Sequence, residues 1–208
     1  MHSPASWKLA SPPETPASIA VDLVELREPL VRVTRTEAGD WCFDGPGEAR
    51  ELVEEITLGD VVRAWPHVAV LRMVQPGETA VWNWAENGWH IAPLSNQAEL
   101  SCADLADSAW PEDLPAEDPA VVERAVVTGE ALLTDVQRDD EGFSFVGPGE
   151  DELSVDAYVL VRLADAVRRW PHSFGVVRAL QPGEGVEWDA EELRWDAYRL
   201  TYPTQPEL

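Results

Sequence analysis

The sequence predicts an α+β protein made of two tandem copies of one small module, each an antiparallel sheet with one short helix. Three observations lead to this fold class. Blocks of the first half recur in the second half, alternating apolar residues indicate strands, and a short helical pattern in each copy ends at a proline. Two copies packed together are expected to follow pseudo-twofold symmetry.

The repeat consists of three ungapped blocks, in which 21 of 42 aligned positions are identical. The blocks are 39–48 with 141–150, 58–67 with 163–172, and 68–89 with 174–195. We therefore divide the chain into a flexible N-terminal arm (1–20), module 1 (21–92), an acidic connector (93–121), module 2 (122–202) and a tail (203–208).

Each module is expected to begin with a β-hairpin. Side chains alternate with a period of two along residues 30–36, as in a strand, and a turn at 37–40 follows. After the turn, the aromatic residues Trp41 and Phe43 lie two apart. In copy two, residues 131–137 and Phe143-Ser144-Phe145 repeat this pattern. Gly-Pro-Gly-Glu then ends the second strand in both copies, because proline has no N–H to donate to a sheet.

A short helix follows the hairpin. Thr57 is placed to cap its start, and Leu58, Val61 and Trp65 fall on one face. Pro66 ends the helix, since the residue before a proline is pushed out of the helical region, and Pro171 does the same in copy two. An apolar run and a Gln-Pro-Gly-Glu turn lead into a last strand.

The chain has ten tryptophans. Those repeated in both copies are predicted to be module core: Trp65, Trp82, Trp89, Trp170, Trp188 and Trp195. Trp84 and Trp110 are not repeated, and we interpret them as surface anchors of a binding site because tryptophan is enriched at binding hot spots.

The formal net charge is −24, from 39 acidic and 15 basic residues. Such a chain is repelled by phosphate, which disfavours nucleic acid and anionic membranes as partners. A basic protein would be attracted, although the charge also has a simple role in solubility. The predicted contact surface is the connector, with Trp110 as anchor and Asp104, Asp107, Glu112 and Asp113 as steering charges.

Reactive motifs are absent from the sequence: it has no GxSxG, HExxH or phosphate-binding loop. His67 and His172 occupy equivalent positions just past the helices. We expect a structural role there, as cations at helix C-termini, rather than a metal-binding or catalytic role. The sequence therefore predicts no catalytic residues, no metal and no cofactor.

Two cysteines, Cys42 and Cys102, show no disulfide or CxxC pattern, which is typical of a reducing compartment. The N-terminus lacks a signal-peptide pattern, and no apolar run is long enough to span a bilayer. We expect a cytoplasmic protein.

The hairpin Gly39-Asp40-Trp41-Cys42-Phe43, the following Gly45, the helix start at 58–62 and the Pro76-Gly77 turn resemble small acidic bacterial domains classed with immunity proteins of polymorphic toxin systems. The resemblance covers about two thirds of the chain. It implies binding and inhibition of a toxin without catalysis. Copy two departs from the pattern, with Phe143 where those domains have tryptophan.

Three functional hypotheses follow. The first is a non-catalytic protein-binding module, an immunity-type inhibitor of a basic toxin. The second is an enzyme or small-ligand-binding protein with a pocket between the two modules. The third is a structural or regulatory accessory protein.

Overall fold

The two halves of the chain fold into two six-stranded sheets with the same strand order, as a computed structural model shows. It describes residues 7, 9–25, 28–47, 53–99, 105, 110–148, 155–189, 192 and 194–201, with the backbone alone at 69, 70, 97–99 and 155. The order is β4-β1-β3-β2-β5-β6 in module 1 and β10-β7-β9-β8-β11-β12 in module 2. The α+β class and the duplication are thus confirmed.

Module 1 contains β1 (Pro16–Ala20), α1 (Val21–Val24), β2 (Arg32–Arg35), β3 (Trp41–Asp44), β4 (Val53–Thr57), α2 (Leu58–Ala64), β5 (Glu78–Asn83) and β6 (Gly88–Pro93), with 3-10 segments at Pro66–Leu71 and Leu94–Glu99. Module 2 contains β7 (Pro119–Glu123), α3 (Arg124–Thr128), β8 (Asp135–Arg138), β9 (Phe143–Val146), β10 (Tyr158–Arg162), α4 (Leu163–Arg169), α5 (Phe174–Ala179), β11 (Glu184–Asp189) and β12 (Arg194–Arg199), with 3-10 segments at Val155–Ala157 and Pro171–Ser173. The described residues therefore include more than the one predicted helix per module.

The predicted hairpin and helix are present. In module 1, β2 pairs antiparallel with β3, from Arg32 opposite Asp44 to Arg35 opposite Trp41. Helix α2 begins as expected, because the Thr57 hydroxyl accepts a hydrogen bond from the Asp60 backbone N–H at 3.2 Å. Local sequence signals thus place both elements correctly.

The Gln-Pro-Gly-Glu turns have the same geometry in both copies. The Gln75 backbone N–H donates to the Glu78 carboxylate at 2.7 Å, and the Gln181 N–H donates to Glu184 at 2.9 Å. Each glycine between them has a positive φ, 85° at Gly77 and 84° at its counterpart, which other residues rarely adopt. These two turns lead the chain into β5 and β11, the strands that carry the site described below.

The predicted boundary of the N-terminal arm is wrong at its C-terminal end. Residues Pro16–Ala20 form strand β1, which lies between β3 and β4 and runs parallel to β3. Likewise, Pro119–Glu123 forms β7 and crosses the predicted boundary between connector and module 2. These strands are short, begin with proline, and pair with segments distant in sequence, so local patterns did not identify them. The sheets are consequently mixed rather than wholly antiparallel.

The modules share their apolar interior. Val31, Trp82 and Trp84 of module 1 belong to the apolar cluster of module 2. The connector contributes as well, since Leu105 and Leu114 are buried in that cluster. The connector is therefore not only a solvated acidic segment; parts of it are packed on module 2.

Candidate functional site

The last two strands of each module place a pair of tryptophans side by side. Trp82 lies opposite Trp89 in the β5–β6 pairing, and Trp188 lies opposite Trp195 in the β11–β12 pairing. Opposite residues in an antiparallel pair project from the same face of the sheet. Each pair makes an edge-to-face contact, with ring centroids 5.3 Å and 5.2 Å apart respectively.

The two repeated histidines meet at the junction of the modules. His67 and His172 are buried, and their rings stack at 5.4 Å with an angle of 15° between the planes. Each follows the proline that ends the helix of its module. Equivalent residues contact each other where a twofold axis passes between them, so this contact is consistent with pseudo-twofold packing.

The histidines form the centre of a column of four rings. Trp89 stacks on His67 at 5.6 Å and 9°, and Trp195 stacks on His172 at 5.4 Å and 10°. The indole N–H groups of these tryptophans donate to the backbone carbonyls of His67 and His172, at 3.3 Å and 3.0 Å. Each histidine ring thus has two near-parallel neighbours, and the stack joins module 1 to module 2.

Burial keeps both imidazoles uncharged at neutral pH. Desolvation lowers the pKa of His67 to about 4, against the weaker opposing effect of its hydrogen bond to Leu30. The pKa of His172 is lowered well below its ordinary value, first by burial and then by the proximity of His67. The expectation that these residues act as cations at helix ends is therefore wrong: tertiary packing removes them from solvent.

Several polar nitrogens in this cluster have no hydrogen-bond partner among the described residues. His67 Nε2 lies 3.2 Å from the Leu30 carbonyl, so the neutral ring carries its proton there and leaves Nδ1 as an acceptor. This Nδ1, both ring nitrogens of His172, and the indole nitrogens of Trp82 and Trp188 are buried without such a partner. An unpaired buried polar group costs about 1–3 kcal/mol, so the cluster is not optimised for stability alone.

The ring cluster forms the wall of a pocket of about 380 Å³ at the module junction. Its lining residues are His67, Leu71, Met73, Trp82, Asn87, Gly88, Trp89, Ile91, His172, Trp188, Arg194 and Trp195. Met73 and Ile91 are exposed, at 69% and 41%. The pocket thus has an aromatic interior and an apolar rim, and Arg194 is the charged residue among the described residues of its lining.

Asn87 connects the pocket to both modules. It lies in the β5–β6 turn with φ 51°, the sole positive φ outside glycine in the described part of the chain. Residues 84–87 form a four-residue loop between the paired Asn83 and Gly88, and asparagine adopts the left-handed conformation at the end of this loop more readily than most residues. The Asn87 side-chain oxygen accepts a hydrogen bond from the Gly175 N–H of module 2 at 3.2 Å.

The predicted anchors behave differently. Trp84 is buried, at 5% exposure, with its ring against Trp82 and Phe174, so it is not a surface anchor. Packing of module 2 over it, which the sequence does not reveal, is the reason. Trp110 is partly buried: its ring stacks on Phe174 at 5.9 Å, and its indole N–H donates to the Leu114 carbonyl.

Two of the four predicted steering carboxylates lie among the described residues. Glu112 and Asp113 are exposed, as a contact surface requires. Asp104 and Asp107 lie outside the described residues. The role of all four remains a prediction.

The predicted repeat core divides into two groups. Trp65 and Trp170 are buried inside their modules, at 5% and 4% exposure. The other four repeated tryptophans line the junction pocket instead. Sequence analysis did not find Leu71, Met73 or Ile91 as site residues.

Two other polar features are satisfied internally. A cleft of about 270 Å³ on α4 contains Arg169, whose guanidinium donates to the Val127 carbonyl and whose pKa burial lowers to about 10. On β12, the Tyr198 hydroxyl lies 2.9 Å and 2.7 Å from the two carboxylate oxygens of Asp135. Burial, followed by that hydrogen bond, raises the pKa of Tyr198. Neither feature offers unpaired groups comparable to those of the junction.

No group of three or more metal-ligating side chains occurs in the described ranges. Within the same ranges, no helix has the length and apolar character needed to cross a bilayer. Comparison of the chain with protein-family models gives no match. Searches against curated proteins and against solved structures likewise give no significant match.

Proposed function

We propose that this protein is a non-catalytic binding protein whose site is the pocket at the module junction. The observation that carries the proposal is the pocket lining itself: six aromatic rings surround a space of about 380 Å³, and Asn87 and Arg194 add polar groups to the lining. A concave, mainly apolar site with a few convergent polar groups is the usual form of a ligand-binding site.

The rim supports the same proposal. Met73 and Ile91 are two of the large apolar side chains that this chain leaves exposed, and both border the pocket. Exposed apolar surface next to a cavity is typical of a binding site. Among the described lining residues there is no nucleophile paired with a base and no carboxylate, which favours binding over acid–base or covalent chemistry.

N-phenyl-1-naphthylamine, an uncharged dye that fluoresces in apolar sites, tests this function. We expect saturable fluorescence enhancement and an affinity about fivefold weaker in Met73→Glu, which removes roughly 1 kcal/mol of apolar contact. Leu160→Glu is the matched control, because Leu160 is similarly exposed, at 72%, but does not line the pocket. Equal loss in both variants, or no saturable binding, would overturn the proposal.

A second candidate function is the binding of a basic protein, such as a toxin held by an immunity-type inhibitor. It is favoured by the connector, where residues 93–119 carry seven carboxylates, and no Lys or Arg occurs from 73 to 123. Exposed carboxylates steer a basic partner and raise its association rate.

The test of this second function uses a partner recovered from the source cell and measures association at rising salt. Replacing Glu112 and Asp113 by Gln and Asn should slow association more than it speeds dissociation. Glu54→Gln with Glu55→Gln, exposed carboxylates on β4, is the control. An association rate indifferent to salt contradicts the electrostatic mechanism.

A further inference from the structure

The described lining of the junction pocket carries little charge, although the whole chain is strongly acidic. The chain has 39 acidic residues, yet no carboxylate is among the described residues that line the pocket. Both histidines in its wall are held neutral by burial. We infer that the ligand of this pocket is an uncharged, flat, aromatic small molecule that carries a hydrogen-bond acceptor. This inference rests on the proposed function.

Cations are poorly matched to this lining. A cation held by aromatic rings needs open ring faces and benefits from a nearby carboxylate. Here His67 and His172 each already have two near-parallel ring neighbours, and the Trp82–Trp89 contact is edge to face. The charged side chain that does line the pocket, Arg194, is itself a cation.

Anions are also poorly matched. The net charge of −24 repels them at long range. Arg194 is exposed, and its Nε lies 3.1 Å from the Asp196 carboxylate, so part of the guanidinium already has an anionic partner. It retains guanidinium N–H groups that suit a neutral acceptor such as a carbonyl or hydroxyl oxygen.

The shape of the lining favours a flat ligand. The four rings of the column deviate from parallel by 9°, 15° and 10° at successive contacts, and two more indoles stand edge-on beside them. A flat ring can pack edge to face against such rings even where their faces are occupied, which is a contact that aliphatic chains cannot make. A volume of about 380 Å³ lies within the range of small-molecule sites.

The test compares three probes that share one ring system and differ in charge: 2-naphthol, 2-naphthoate and 2-naphthylmethylammonium. Binding is measured by equilibrium dialysis at neutral pH, with the uncharged substitutions Met73→Gln and Leu160→Gln as pocket and surface variants. We expect 2-naphthol to bind at least about tenfold more tightly than either ion, because an unpaired charge is costly to desolvate. Pocket binding is the part that Met73→Gln weakens and Leu160→Gln does not.

The outcomes separate the two proposals. If a charged probe binds in the pocket as tightly as 2-naphthol, the inference about charge fails while the proposed function stands. If naphthoate binds and Arg194→Gln abolishes its binding, the ligand is an anion held by Arg194, which also overturns the inference. If cyclohexanol competes as well as 2-naphthol, the preference for a flat ring is refuted. If no probe binds, the proposed function itself fails.

Discussion

Acid should destabilise this protein through the buried histidine at the junction. The pKa of His67 is about 4 in the folded chain and 6.5 when the residue is free of the structure. As pH falls below 6.5, the His67 imidazole becomes protonated in the unfolded chain, whereas in the folded chain it stays neutral until about pH 4. The stability contributed by neutral burial is therefore complete above the unfolded pKa and is lost as pH falls towards the folded pKa.

The two pKa values set the magnitude. Each unit of pKa difference corresponds to about 1.4 kcal/mol, so the full loss is about 3 kcal/mol, of which about 2 kcal/mol is reached at pH 5. The pKa of His172 is shifted in the same direction and adds to the loss. Carboxylate protonation changes stability too, so wild type must be compared with a variant that keeps every carboxylate.

The assay is urea unfolding at pH 7 and pH 5 for wild type and His67→Gln. We expect the fall in unfolding free energy between these pH values to be about 2 kcal/mol smaller in the variant. An NMR titration of the wild-type imidazole provides an independent measurement, with the ring still neutral at pH 5. Equal falls in both proteins, together with an imidazole midpoint near 6.5, would refute the reasoning.

Three further predictions concern stability and use urea melts. Trp82→Ala should lower the free energy of unfolding by about 3–5 kcal/mol, because Trp82 is 4% exposed, and Trp188→Ala should lower it less, because Trp188 is half-buried. A loss below about 1 kcal/mol in Trp82→Ala would contradict the burial of Trp82. Gly185→Ala should lower the free energy of unfolding by about 1–3 kcal/mol, since a Cβ there would clash with the Tyr198 ring; adding Tyr198→Ala should relieve the clash, and no relief would argue against that cause. Thr57→Ala should cost about 1 kcal/mol by removing the helix cap, whereas Thr57→Ser should cost little, and equal costs would point to lost packing instead.

The sequence by itself determined the duplication and the local elements. The identity between the two halves of the sequence implied that one fold occurs twice. The hairpin was specified by side chains that alternate with a period of two, and the helix by the Thr57 cap and Pro66, all of them signals that act within a few residues. Such signals depend on backbone preferences that act locally, so they are legible without knowledge of the fold.

Only the tertiary structure decided where β1 pairs, what covers Trp84, and that His67 meets His172. Each of these depends on segments far apart in the chain. Pairing between distant strands and packing between modules leave no periodic pattern in the sequence of either partner. The same apolar residue types occur in a surface anchor, in a module core and in a pocket wall, so their identity does not distinguish these roles. The junction pocket is formed by this packing between modules. For that reason a pocket between the modules was only one of the three functional hypotheses drawn from the sequence.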